Sequence, residues 1–154
     1  MSTYDLMPGD VVLAHAGDQL RTLLGSCVSL ILTDPRRTVG CMCHIVHASR
    51  PPADQLHNTA YGSVALQRMQ ALLLSVGITP RYCHAYAYGG GNMFASIADE
   101  DNVSLHNVLW LQATLQHWGM TPVQACLGGR CYRKLSWVVG SQPPQIDAIQ
   151  LETA

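Results

Sequence analysis

Charge is scarce in this sequence: 12% of its 154 residues are Asp, Glu, Lys or Arg, against 48% apolar. A chain so poor in charge and so rich in apolar groups collapses in water, which excludes disorder. An excess of basic residues is missing too, since the net charge is −1, and this argues against nucleic acid as a partner. No run approaches the roughly 18 apolar residues of a membrane span, and MSTYDLMPGD lacks the charged-then-apolar order of an export signal. The expectation is a cytoplasmic protein without membrane insertion. There is no internal repeat, and the length fits a single domain over residues 1–154, its tail from residue 140 partly frayed. Without export the six cysteines have little reason to pair. Most stand in strand-like runs, where a thiol packs as a small hydrophobe.

What is present is a foldable stretch from Thr22 to His47, TLLGSCVSLILTDPRRTVGCMCHIVH. VSLILT and TVGCMCHIV flank the turn Asp34-Pro35-Arg36-Arg37 and read as a β-hairpin. With a four-residue loop Thr33 faces Thr38, and Cys27 lies directly across from His44, Cβ atoms about 4.5–5.5 Å apart. Val28, Leu30 and Leu32 then share the core face with Cys41, Cys43 and Ile45, while Cys27, Ser29 and His44 point the other way. Gly25 and Ser26 form a tight turn whose N–H groups can stay free of the ladder and face a ligand.

The rest of the chain fills in around this hairpin. Strands are expected over residues 9–15, 19–24, 81–88, 121–127 and 131–139. Helical spacing predicts helices over 59–76 and 103–118, the second capped by Asp101 or Asn102. Its apolar positions are read as Val103, Leu105, Val108, Leu109, Leu111 and Leu115. Two helices cannot cover both faces of so large a sheet. The fold class is therefore α/β, a layered sandwich of mixed, largely antiparallel sheet with two long helices.

Three motifs, TLLGSCVSLILTDP, Gly40-x-x-x-His44 and YGGGNMF at Tyr88 to Phe94, resemble the CheD family of chemoreceptor glutamine deamidases. The resemblance runs from about residue 8 to 139. It implies a Cys/His amidohydrolase of the papain-like type, with Cys27 as nucleophile, His44 as its base and Thr22 as the hydroxyl that orients the imidazole. It also implies methyl-accepting chemotaxis receptors as protein substrates, a CheC-like phosphatase as a further partner, and no cofactor. Ser26 and Gly25 are the candidate oxyanion side, with Gly90 and Asn92 in the glycine run as candidate substrate-binding residues. A nearby imidazolium is expected to lower the thiol pKa from about 8.5. Receptor glutamyl methyl esters would pass through the same acyl-thioester. The chain departs from the family pattern at HIVHASRPP, at Val103 to Asn107 where only the Asn and a similar first residue remain, and at Cys126 and Tyr132.

Each feature has a plainer reading. Cys27 and His44 could be core residues, Thr22 an ordinary strand residue, and the glycine run a structural loop. The protein could then be a CheD-like module that docks to receptors or to a CheC-like phosphatase without catalysis. Cys41-x-Cys43-His44-x-x-His47 has a superficial likeness to zinc spacing, but strand alternation puts its thiols on the apolar face, and no metal is expected. His84, His106 and His117 read as core or surface residues, and Arg133 as a solvated strand charge.

Overall fold

The computed structural model describes residues 1–94 and 101–151. Among the described residues nine strands and two α-helices follow in chain order: β1 (Thr3–Leu6), β2 (Val11–His15), β3 (Gln19–Leu24), β4 (Val28–Thr33), β5 (Val39–Cys43), α1 (Gly62–Ser75), β6 (His84–Gly89), α2 (Val103–His117), β7 (Gln124–Leu127), β8 (Cys131–Val138) and β9 (Gln145–Gln150). The strands form two sheets, ordered β2-β5-β4-β6-β7 and β1-β3-β8-β9. Each sheet holds one parallel pair, β6 with β7 and β1 with β3, among antiparallel neighbours. The expected sandwich of mixed, largely antiparallel sheet with two helices is what the chain forms. No described helix is long and apolar enough to cross a membrane.

The layers follow from the side-chain patterns. β4, VSLILT, is buried at every position, because one face meets the helices and the other the second sheet. Leu30, Leu32, Cys41 and Cys43 pack with Ala65, Met69, Leu73 and Leu111 on the helical side. Ile31, Met42, Tyr86 and Tyr88 pack with Leu20, Leu24, Leu135 and Trp137 between the sheets. β8 alternates strictly, since only one of its faces is covered. Gly40 is required because the Trp137 indole lies where its Cβ would be.

Both helices stand where periodicity puts them. Asn102 caps α2, its side chain accepting from Leu105 N at 3.1 Å. The buried stripe of α2 is Ser104, Asn107, Leu111 and Leu115, however, and Val103 and Leu109 are exposed. The stripe begins polar because Ser104 donates to the capping Asn102 side chain and Asn107 donates to the carbonyls of Ser26 and Val46. Two strands escape the sequence pattern. β1 pairs along β3, and β9, within the tail expected to fray in part, pairs along β8. Residues 152–154 of that tail lie outside the described residues.

Candidate active site

Thr22 sits on β3 with its side chain turned between the sheets, and it is buried. Its hydroxyl lies 2.9 Å from the Leu6 carbonyl and 2.8 Å from His44 Nδ1. A carbonyl can only accept, so the single hydroxyl proton of Thr22 goes to Leu6. The Thr22 oxygen must then accept from His44, which fixes the proton of the neutral imidazole on Nδ1. Nε2 is left as the lone-pair nitrogen. The arrangement needs β1, because Leu6 pairs with Thr22 across the parallel edge of the four-stranded sheet. His44 itself follows β5 and is held through its backbone by Asp10 O and Gly9 N.

Cys27 reaches the same region from the other sheet, but not in the expected register. The observed pairs are Thr33 with Gly40, Leu32 with Cys41, Ile31 with Met42 and, past a break, Val28 with Ile45. Thr33 was expected opposite Thr38, so the ladder is shifted by two residues. Asp34 causes the shift: its carboxylate accepts from Thr38 N, Thr38 Oγ1 and Val39 N at 2.7–3.0 Å and closes a longer loop. Arg37 supplies that loop with a left-handed residue, φ 56°. A shift of two preserves which residues share a face. Cys27 and His44 therefore stay on the inter-sheet side but lie diagonally, a relation of about 7–8 Å between Cα atoms, with Cβ atoms closer. Ser29 is the residue opposite His44.

The turn before β4 is where the chain passes from the four-stranded to the five-stranded sheet. Gly91 N donates to Gly25 O at 2.9 Å and Gly90 N to Cys27 O at 2.8 Å. The glycine run is thus a backbone clamp on the Cys27 turn. Gly89 (φ 110°) and Gly90 (φ 71°) need left-handed angles to form it, and a Cβ on Gly89 would strike the Cys27 carbonyl. The Gly90 amide is spent on this contact. Asn92 is occupied by Gly129 O through its N–H, by Phe94 N through Oδ1 and by the Arg130 side chain through its carbonyl. With Ser26, Met93 and Phe94 it nevertheless lines an open cavity of about 140 Å³ at the start of α2. A larger hollow of about 670 Å³, on the outer face of the four-stranded sheet, is reached by neither Cys27 nor His44.

Two partners of the site were not read from the sequence. One is Leu6, whose contribution is a backbone carbonyl. The other is Asn107, whose amide group donates to Ser26 O at 3.1 Å and Val46 O at 3.0 Å. A polar residue on the buried stripe of a helix was the available signal for Asn107.

Burial pushes the Cys27 thiol above its usual range. Burial also lowers the pKa of His44, against opposing pulls from the Leu6 backbone and the Asp10 carboxylate. The resting pair is therefore a neutral thiol beside a neutral imidazole. No contribution from His44 offsets the burial of Cys27, so its shift runs opposite to the expected acidification by an imidazolium. Cys43 is pushed up to about 12 by burial and exchanges contacts with the backbone of Leu30, and Cys41 is pushed higher still. Both thiols face the helices, across the sheet from the His44 ring. Arg133 is no solvated charge. It is buried, with Nε 3.3 Å from Cys126 Sγ and an Nη donating to Gly128 O. His84, His106 and His117 lie at the surface.

A family model described as "CheD chemotactic sensory transduction" matches residues 47–143. The chain belongs to the CheD family. Over 93 residues it is 42% identical to a probable chemoreceptor glutamine deamidase CheD 2 of Albidiferax ferrireducens, a match covering 58% of the chain but only 53% of that relative. Longer matches join it to two further probable chemoreceptor glutamine deamidases of the CheD type. The one from Trichlorobacter lovleyi is 29% identical over 132 residues, 86% of the chain and 81% of the relative. The one from Chromobacterium violaceum is 31% identical over 139 residues, 88% of the chain and 72% of the relative. The family match begins just past His44, so Thr22, Cys27 and His44 precede it. At 86% and 88% of the chain, the two longer CheD alignments leave too few residues uncovered to exclude Cys27 and His44.

Proposed function

We propose that this CheD-family chain is a hydrolase that converts glutamine side chains of chemoreceptors to glutamate, in the adaptation branch of bacterial chemotaxis. The observation that carries the reading is the proton order Leu6 O, Thr22 Oγ1, His44 Nδ1, which leaves a basic Nε2 on the face that also carries Cys27. Such an imidazole takes the thiol proton as sulfur attacks the amide carbon. His44, now positive, hands that proton to the departing amide nitrogen, and ammonia leaves. Water then attacks the glutamyl thioester, its proton again going to His44, and the acid and the free thiol are released. The balance is one amide and one water to one acid and one ammonia.

In this scheme Thr22 holds the ring, and backbone N–H groups at Ser26 and Cys27 receive the developing oxyanion. Both N–H groups lack an acceptor among the described residues, which supports that role. The relatives' descriptions as probable chemoreceptor glutamine deamidases support receptors as substrates, and the reaction is placed in the cytoplasm as part of this proposal. A glutamyl methyl ester fits the same cycle, with methanol as leaving group, and a CheC-like phosphatase is a proposed partner. Docking without catalysis is not favoured, since a docking protein has no use for an ordered proton path. The test is Cys27→Ala: it abolishes ammonia release from a receptor cytoplasmic fragment and the mass gain of about one unit that marks each converted glutamine. Undiminished release sinks the proposal.

A further inference from the structure

The three carbonyls of the turn that carries Cys27 are all pinned. Gly25 O accepts from Gly91 N and Cys27 O from Gly90 N, both backbone contacts. Ser26 O alone is held by a side chain, the Nδ2 of Asn107 at 3.1 Å. The same nitrogen reaches Val46 O at 3.0 Å, two residues past His44, so one amide group ties both arms of the site to α2. Asn107 is only 1% exposed, and its own Oδ1 has no partner. A buried amide with an idle oxygen is a costly choice for a helix stripe that could have carried an apolar residue. What the side chain supplies is its donors.

Those donors fix a peptide plane. The peptide bonds are trans, and in a trans peptide the carbonyl and the following N–H point in opposite directions. Holding Ser26 O toward α2 therefore turns the Cys27 N–H away from α2, where it meets no protein acceptor among the described residues. We infer that Asn107 is a positioning residue for the reaction: by locking the Ser26–Cys27 peptide it presets the Cys27 N–H as an oxyanion donor. The inference rests on the deamidase reading and adds to it the residue that positions a donor of the hole. Without Asn107 the Ser26–Cys27 peptide is free to rotate, while Gly25 and Cys27 keep their glycine clamps and the thiol keeps its place.

The separating experiment compares two reactions of the same sulfur. Deamidation builds an oxyanion, whereas alkylation by iodoacetamide displaces iodide from a saturated carbon and builds none. Asn107→Asp preserves shape and removes the amide donors. It should lower kcat about 10²- to 10³-fold, the range for loss of one oxyanion donor, with KM within about threefold. The alkylation rate of Cys27 should stay within about twofold. A kcat within threefold of the unaltered protein overturns the inference, and so does alkylation that falls in step with kcat, which marks general collapse of the site.

A second measurement uses the unaltered protein and needs no variant to fold. A receptor-derived peptide bearing an aldehyde in place of the glutamine amide adds the Cys27 sulfur to its carbonyl carbon, the thiol proton passing to His44. The Cys27 amide ¹⁵N–¹H resonance should move downfield as the new oxygen accepts from it, and a resonance that stays put overturns the inference. If the unaltered protein releases no ammonia, or Cys27→Ala releases as much, the deamidase reading fails. The resonance still decides whether the Cys27 N–H is the oxyanion donor, because it is read without turnover, and the same shift lost in Asn107→Asp assigns its presetting to Asn107.

Discussion

Thr22→Val removes one hydroxyl and keeps the branched shape that suits β3. Two buried groups lose a partner, the Leu6 carbonyl and His44 Nδ1–H, at a cost of about 1–3 kcal/mol in stability. For a domain of this size that is a fall in Tm of roughly 2–4 °C per kcal/mol. The effect on rate is separable. His44 becomes positive when it takes the Cys27 proton, so the bond from Thr22 is neutral–neutral at rest and charge-assisted at the transition state. A bond to a charged group contributes about 1.5–3 kcal/mol, which converts to roughly 10- to 150-fold in kcat at about 1.4 kcal/mol per decade. Without the hydroxyl the ring proton also settles on either nitrogen, and one of the two tautomers cannot act as base. The assay is steady-state ammonia release from a receptor fragment, with thermal unfolding measured in parallel. KM should change little, because Thr22 sits behind the imidazole and away from substrate. Thr22→Ser, which restores the oxygen, should recover most of kcat. A Thr22→Val protein within twofold of the original kcat, or a serine variant as impaired as the valine, refutes the proton order.

Stability should fall on both sides of neutrality. His44 has a lowered folded pKa, so below about pH 6.5 the unfolded chain binds the extra proton first; urea midpoints should drop there, and His44→Gln should remove part of the slope. Cys27 has a raised folded pKa, so above about pH 8.5 the unfolded chain loses its proton first, and alkylation of Cys27 should titrate above an ordinary thiol; a midpoint near neutrality contradicts the neutral resting pair. Asp34→Ala removes the acceptor of three hydrogen bonds and should cost about 1–3 kcal/mol by chemical denaturation, with a broadened β4–β5 turn seen in amide exchange. Gly91→Ala puts a methyl group on the Cys131 carbonyl, which cannot yield; kcat should fall by at least tenfold as the clamp on Gly25 moves, and an unchanged kcat would remove the glycine run from the site.

The helices were legible because their spacing and the Asn102 cap are local signals. The hairpin was legible only modulo two. Alternation decides which residues share a face, so it put Cys27 and His44 on one side, but it cannot tell a four-residue loop from a longer one closed by Asp34. β1 and β9 were illegible because edge strands with one exposed face carry little apolar pattern. The partition into two sheets was illegible for another reason. β7 and β8 follow one another through Gly128-Gly129, yet they join different sheets, and nothing in either strand names its partner. Thr22, Cys27 and His44 could be nominated from motif resemblance, whereas the carbonyl of Leu6 has no side-chain signature at all.

The two halves of the site ride on different sheets, Thr22 on one and the Cys27 and His44 arms on the other. The sheet that carries Thr22 is closed by the pairing of β3 with β8, which joins residues more than a hundred positions apart. Long closures of that kind form late in folding. In a refolding experiment, helix and strand signals should therefore return before turnover does. The appearance of ammonia then serves as a clock for the moment at which the two sheets seat against each other.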